Sequence, residues 1–145
     1  NWRMSSITAG LGITQLAKLD KIIKKRQDNA EYISSRICKY KKIKVPNPPN
    51  DFEHIYQMYT IRLENKEIRD GLHNYLTSKQ IFSKVYFNPI HQTPYYQEKF
   101  PIDDNSLPIT EKIADEILTL PMYPNMTSDE KNYLIESISE FFETD

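Results

Sequence analysis

Residues 1–16 read NWRMSSITAGLGITQL, and this stretch decides how the rest of the chain is interpreted. Apolar residues recur there at the spacing of one helix face, at Ile7, Leu11 and either Ile13 or Leu16. Small residues form a second face, at Ala9, Gly10 and Gly12. Because such small side chains let another backbone come close, the stretch predicts a helix packed tightly against something large. The rest of the chain offers no large partner and there is no initiator methionine, so we expect a piece from the middle of a longer protein.

A long amphipathic helix follows and is expected to end near Cys38. Its apolar stripe steps by three and four residues, through Leu19, Ile22, Ile23, Ala30, Ile33 and Ile37. Lysines cluster at its end, at Lys39, Lys41, Lys42 and Lys44. They either bind an anion or lie in solvent and complement the helix dipole, and the second interpretation is favoured.

The remaining chain alternates extended and helical patterns. Strands are predicted at Ile55–Leu63 and Ile81–Phe87, with a short extended piece at 118–121. Helices are predicted after Asn65, over Leu107–Ile117, and after a capping box formed by Thr127 and Glu130. The expected fold is α+β: a small, mainly antiparallel sheet of about three strands covered by helices on one face, with a long N-terminal helix.

Composition narrows the function classes. The 145 residues carry 19 basic and 20 acidic side chains, and this balance argues against binding nucleic acid or a membrane surface. No apolar run approaches the length of a membrane span. A single cysteine, Cys38, excludes an internal disulfide and a multi-cysteine metal site. No other metal-ligand spacing is present, so we expect no metal. The charge balance, the lack of a membrane span and the single cysteine together predict a cytoplasmic setting.

Four motifs in order resemble the sugar aminotransferases of the DegT/StrS type. They are the opening Asn-aromatic-Arg-Met with Ala-x-x-Gly-x-x-Gln-Leu (1–16), the strand with Tyr56, Tyr59 and Ile61, the aromatic loop 86–96, and Leu118-Thr119-Leu120-Pro121 with Tyr123-Pro124. The loop is similar to that of the perosamine-synthetase branch. Two departures stand out. Gln80 replaces the usual glycine, so we expect a different turn there. Lys84 replaces a frequent arginine, which leaves the sugar nucleotide open.

The resemblance implies a pyridoxal-phosphate enzyme of fold type I that aminates a keto sugar nucleotide, with glutamate as donor. It implies that residues 1–145 are the C-terminal small domain, with 1–38 as interdomain helices and 39–145 as an α+β body. The family carries its Schiff-base lysine in a large N-terminal domain, which this chain lacks. We therefore expect no catalytic residue here, no cofactor bound to this piece alone, and no activity without the large domain and the second subunit of a homodimer.

Site residues follow from the same resemblance. Asn1 and Arg3 are expected to contact the cofactor phosphate of the neighbouring subunit, although a helix cap is the favoured interpretation of Asn1 when the resemblance is left aside. Tyr86, His91 and Tyr95 are expected to line the nucleotide-sugar pocket. A loop held by buried aromatics and a hydrogen-bonded His91 is the alternative. A stand-alone module that binds a peptide or small ligand through loop 86–96 is the alternative for the whole chain.

Overall fold

A computed structural model describes residues 2–100 and 106–143. Six α-helices are described, namely α1 Ser6–Leu16, α2 Leu19–Ile37, α3 Lys66–Ser78, α4 Pro94–Lys99, α5 Pro108–Glu116 and α6 Ser128–Glu143. Three strands are described, namely β1 Ile43–Lys44, β2 Tyr59–Leu63 and β3 Ile117–Leu120, and a 3-10 turn covers Ile90–Gln92. The predicted α+β class is confirmed.

The sheet is antiparallel throughout, with β2 between β1 and β3. Tyr59 pairs with Leu120 and Ile61 pairs with Leu118, so four apolar side chains point to the same face. That face is fully buried under α2, α3 and α6. On the other face Thr60 stands opposite Thr119. The covered face explains the alternating pattern of β2. The two-residue strand β1 was not predicted, because two residues are too short for a pattern.

The predicted strand Ile81–Phe87 is wrong, because this segment makes only one bridge. Lys84 exchanges both backbone hydrogen bonds with Thr119 on the free edge of β3. Continuing this register places Pro121 opposite Phe82. Proline has no N–H to donate, so the ladder ends on that side after a single pair.

The predicted strand Ile55–Leu63 is four residues too long at its start. The register of β2 with β3 would next pair Gln57 with Met122. Instead, the carbonyl oxygens of both residues accept hydrogen bonds from Nη1 of Arg26 on α2, each at 3.2 Å. The Tyr56 carbonyl accepts from the same atom at 2.9 Å, and Tyr56 has a positive φ of 48°. The guanidinium therefore takes the place of the next ladder pair.

The C-terminal half of α2 belongs to the core, whereas α1 does not. Buried residues of α2 begin at Asn29 and include Ala30, Ile33 and Ile37, and the helix packs mainly against α6. Ser34 also bonds the hydroxyl of Tyr59, at 2.6 Å. Burial raises the pKa of Tyr59 to about 12, so this hydroxyl stays protonated. Helix α1 buries no residue, and its apolar side chains face outward.

The predicted caps are confirmed. The Asn65 side chain accepts the Ile68 N–H at 2.9 Å at the start of α3. Before α6, the Thr127 hydroxyl accepts the Glu130 N–H, and the Glu130 carboxylate accepts the Thr127 N–H. This last bond holds the pKa of Glu130 below its ordinary value. Both signals are local in sequence, which is why they could be read without the structure.

Helix α3 ends in a turn that forces Gln80 into the left-handed region, with φ 60°. Ile81 N–H bonds the Leu76 carbonyl, and Gln80 N–H bonds the Thr77 carbonyl. These two bonds form a Schellman motif, in which the left-handed residue is usually glycine. The expectation of a different turn is therefore wrong: the glycine-type turn is kept, and a residue with a Cβ occupies it.

We expect Gln80→Gly to raise the free energy of unfolding by about 1 kcal/mol, because it removes the left-handed strain of a side chain. Urea unfolding of both proteins measures the difference. Gln80→Ala is the matched control, since it removes the same side-chain atoms beyond Cβ but keeps the strain, and it should change stability by less than about 0.5 kcal/mol. Equal stabilities for the glycine and alanine variants would contradict the prediction.

Candidate functional site

Segment 81–86 carries two aromatic side chains and a lysine at alternate positions. Ile81 and Ser83 are buried, whereas Phe82 and Lys84 are exposed. This alternation is that of an extended strand, even though only Lys84 is paired. The residues at even positions, Phe82, Lys84 and Tyr86, therefore share one side.

These three side chains form one wall of a cavity of about 200 Å³ on the edge of the sheet. The rest of the lining comes from both neighbouring segments, namely Gln57, Met58, Thr119, Leu120, Pro121 and Met122. The Lys84 ammonium lies 5.5 Å from the ring centre of Phe82 and 5.1 Å from that of Tyr86. Both distances are within the range of cation–π attraction, so the ammonium is held between two rings.

The cavity has a fixed frame. Backbone bonds join Lys84 to Thr119, and the Thr119 hydroxyl lies 2.8 Å from that of Thr60. Arg26 fixes the carbonyls of Gln57 and Met122 at the opposite end. The partly buried Arg26 guanidinium and a backbone bridge thus hold the lining segments at set positions.

His91 lies in the 3-10 turn, away from this cavity. Its Nε2 is 3.0 Å from Glu111 Oε1 on α5, and the two side chains are only 11% and 16% exposed. The pair ties loop 86–96 to α5. This geometry agrees with the interpretation of His91 as a hydrogen-bonded anchor of the loop.

Tyr95 lies on the first turn of α4 and is 58% exposed. Its hydroxyl accepts a hydrogen bond from Lys99 at 3.0 Å, and its ring contacts that of Tyr96 edge-on. Among the described residues, Tyr86 lines the cavity at the sheet edge, whereas His91 and Tyr95 do not line it. This cavity therefore contains only one of the three expected pocket residues.

Arg3 is exposed and precedes α1, while Asn1 lies outside the described residues. The cap of α1 is Ser5, whose hydroxyl accepts the Thr8 N–H at 3.2 Å. Both interpretations of Asn1, as a helix cap and as a phosphate contact, concern a residue outside the described part of the chain.

Among the residues that line this cavity, only Tyr86 was predicted as a site residue. Those that were missed include Phe82, Lys84, Met58 and Thr119. The aromatic–Lys–aromatic spacing of 82, 84 and 86 was the available signal, because alternate residues of an extended segment share a side. Met58 and Thr119 gave none, since only the sheet brings them to this segment.

The residues described here do not form a complete pyridoxal-phosphate site. That cofactor needs a lysine held against an acidic partner and a phosphate site. No lysine within 2–100 and 106–143 is buried, and the buried carboxylate of Glu116 is paired with Arg62. In the same ranges no cluster of His, Cys, Asp or Glu is arranged to hold a metal ion, and none of the helices could serve as a membrane span.

Comparison with known proteins identifies the family of this chain. Residues 1–139 match the profile of the DegT/DnrJ/EryC1/StrS aminotransferase family. The chain is 31% identical over 142 residues to a GDP-perosamine synthase of Escherichia coli O157:H7, and 29% identical over 144 residues to one of Vibrio cholerae. These alignments cover 98% of the chain but only 37% and 38% of the two relatives.

The fold is also that of a solved relative. Helicobacter pylori PseC, an aminotransferase involved in the biosynthesis of pseudoaminic acid, superposes with a TM-score of 0.89. The superposition covers the whole of this chain and 39% of PseC, at 22% identity. At this identity the likeness concerns the fold alone.

Proposed function

The chain belongs to the DegT/DnrJ/EryC1/StrS aminotransferase family, and from this premise we propose that it is the small domain of an enzyme that aminates a keto sugar carried on a nucleotide. The amino donor in our proposal is glutamate, and the enzyme is cytoplasmic. The observation that carries the proposal is the match over 98% of the chain to two GDP-perosamine synthases. Because the chain spans little more than a third of these relatives, it supplies one part of the whole reaction.

The division of labour follows from what the chain has and lacks. We propose that residues 1–38 connect this domain to a large cofactor domain and that 39–145 form its body. In the full-length enzyme that we propose, pyridoxal phosphate, when bound, would supply the chemistry of amino transfer. The residues of this chain would bind and orient: Asn1 and Arg3 towards the cofactor phosphate of a second subunit, and Tyr86, His91 and Tyr95 around the substrate. His91 acts through its bond to Glu111, which sets the course of the loop.

The exposed apolar residues of helix α1 support the proposal that another domain or subunit covers this helix in the full-length enzyme. Its apolar residues Ile7, Leu11 and Leu16 are between 62% and 79% exposed. A Cβ placed on Gly10 or Gly12 would meet nothing within 4 Å in the described chain. We propose that the large domain and the second subunit of a homodimer cover this helix. A stand-alone module is not favoured, because the family match runs through almost the whole chain.

The test uses the full-length enzyme of which we propose this chain is part. With pyridoxal phosphate, glutamate and a GDP-linked keto sugar, we expect formation of 2-oxoglutarate and of the amino sugar nucleotide, followed by mass spectrometry. Borohydride reduction should label one lysine upstream of Asn1. The 145-residue chain treated in the same way is the matched arm, and we expect no lysine labelled in stoichiometric amount, because none of its described lysines is buried.

Two results would contradict the proposal. A single stoichiometric label on a lysine of the 145-residue chain would show that the cofactor site lies within it. Absence of amino transfer to any GDP-, UDP- or dTDP-linked keto sugar, in a full-length protein that binds the cofactor, would exclude the nucleotide-sugar substrate class. If the active enzyme sediments as a monomer, this result would exclude only the proposed contribution of a second subunit to the site, and amino transfer by the enzyme would still stand.

A further inference from the structure

Three of the four lysines that follow α2 line a second cavity, of about 260 Å³, between β1, the end of β2 and α5. Lys39 is the exception, because its ammonium lies 3.8 Å from the Glu143 carboxylate of α6. Lys41, Lys42 and Lys44 are exposed, and none of them forms an ion pair within the described part of the chain. Within those residues, the charge of Lys39 is matched by a carboxylate and the other three charges are not.

Two more cations reach this cavity from positions distant in sequence. Arg62 comes from β2 and Lys112 from α5. The lining also holds the exposed Glu64 and the buried Glu116, but Glu116 is already shared, with one oxygen paired with Arg62 and the other 4.0 Å from Lys112. The described lining therefore carries five basic and two acidic side chains, in a chain whose net charge is −1.

The register of the sheet places two of these cations side by side. Lys44 is the cross-strand partner of Arg62 in the antiparallel pair of β1 and β2, so both side chains lie on the same face of the sheet. Like charges at directly opposite positions destabilise a sheet. Glu116 offsets the charge of Arg62, whereas no described carboxylate forms an ion pair with Lys44. An anion bound between the two cations would remove this repulsion.

The segment that carries the lysines is fixed by the fold. The Ile43 N–H donates to the Tyr40 carbonyl at 2.9 Å, which closes the turn that contains Lys41 and Lys42. The Tyr40 ring stacks on that of Phe142 in α6, with ring centres 5.2 Å apart. The backbone positions from which the lysines extend are therefore set before any ligand binds, so binding requires little ordering of the backbone.

The lining selects a compact anion with more than one charge. Lysine ammonium and arginine guanidinium groups are common donors to phosphate oxygens, and several of them surround this one cavity. None of the described lining residues is aromatic, so a nucleotide base finds no ring on which to stack. At about 260 Å³ the cavity is also smaller than the roughly 300–1,000 Å³ of pockets that enclose a drug-sized molecule.

We propose that this cavity is a binding site for a diphosphate or triphosphate group, held by the three lysines of segment 41–44 together with Arg62 and Lys112. The group is either a free inorganic ion or the phosphate end of a nucleotide whose base stays outside the cavity. The inference does not rest on the proposed function, since the site shares no lining residue with the cavity beside Lys84.

Titrations of the 145-residue chain at constant ionic strength test the site and separate the two sources. We expect pyrophosphate to shift the amide resonances of residues 41–44, 62–64 and 112–116 in a saturable manner, with a dissociation constant of about 1 mM or lower. Tighter binding of pyrophosphate than of GDP identifies the free ion, and tighter binding of GDP identifies a nucleotide. Acetate, with a single charge, should produce no saturable shift.

Variants show whether the lysines of this segment hold the anion. Lys42→Gln/Lys44→Gln should weaken pyrophosphate binding about tenfold, because it removes two charged contacts to phosphate oxygens. Lys18→Gln/Lys21→Gln is the matched control, since it removes the same charge at two exposed positions, and it should bind pyrophosphate within about twofold of the original. Thermal unfolding checks that both variants are folded.

Lys44→Glu provides a readout with two opposite signs. It places a carboxylate opposite Arg62, so it should raise the urea midpoint of unfolding in phosphate-free buffer. It should weaken pyrophosphate binding at least as much as the glutamine variant, because the new charge repels the anion. A loss of binding in a more stable protein cannot come from unfolding.

Four results would overturn this inference. They are equal pyrophosphate affinities of Lys42→Gln/Lys44→Gln and its control, pyrophosphate shifts confined to residues outside the cavity, the same saturable shifts with acetate, and binding of heparin in the absence of pyrophosphate binding. The last result would show that the lysines form a surface for an acidic macromolecule and not a site for a small phosphate.

Discussion

The Arg26→Met variant is expected to lose about 2–3 kcal/mol of unfolding free energy, because hydrogen bonds from a charged donor contribute about 1.5–3 kcal/mol and three carbonyls depend on this one. Arg26 Nη1 donates to the carbonyls of Tyr56, Gln57 and Met122. Methionine keeps the apolar stem but cannot satisfy these acceptors. Two of them are partly buried, so water replaces the lost bonds only in part.

Urea unfolding measures this loss, and Arg36→Met on the same helix is its matched control. Arg36 is exposed, and its Nη1 donates to the Tyr32 carbonyl one turn back. Its replacement should cost less than about 1 kcal/mol, as is usual at a surface position. Equal losses for the two variants would show that Arg26 is not a clamp between the strand ends.

The same clamp bears on the candidate site, because Gln57 and Met122 line the cavity beside Lys84. In Arg26→Met the strand ends are free to separate or to pair. The lining of this cavity is therefore expected to change together with the stability.

Hydrogen exchange in the 145-residue chain should differ between α1 and the C-terminal half of α2 by about a thousandfold or more, since core amides exchange only through global opening of several kcal/mol. Helix α1 has 11 residues and buries none of them. An isolated helix of that length is marginal in water, so its amides should exchange almost freely. The amides of Ala30–Ile37 lie in the buried half of α2 and should be the slow ones.

The measurement is made at several protein concentrations, with sedimentation in parallel. The exposed apolar side of α1 favours self-association, and protection of α1 that grows with concentration would show that another copy covers it. In the full-length enzyme, by contrast, α1 should be protected at every concentration, because we propose that it lies against the large domain. Strong protection of both helices in a monomeric 145-residue chain would contradict this account.

What the sequence alone determined is local in the chain. Helix α3 begins after Asn65, and α6 begins at Thr127–Glu130. Both starts depend on hydrogen bonds between residues three apart, so the residue types reveal them directly. The long stripe of α2 and the four ordered motifs also depend on spacing along the chain. From these came the α+β class and the aminotransferase family.

What only the tertiary structure decided depends on partners distant in sequence. Segment 81–87 has a strand pattern, yet it forms one bridge because Pro121 would stand where an N–H is needed. Strand β2 starts at Tyr59 because Arg26, some thirty residues earlier, takes the next carbonyls. The cavity around Lys84 likewise exists only where the sheet edge meets the segment before the aromatic loop. Backbone pairing and the assembly of a site are settled by which groups compete for each donor and acceptor in space, and that competition leaves no periodic trace in the sequence.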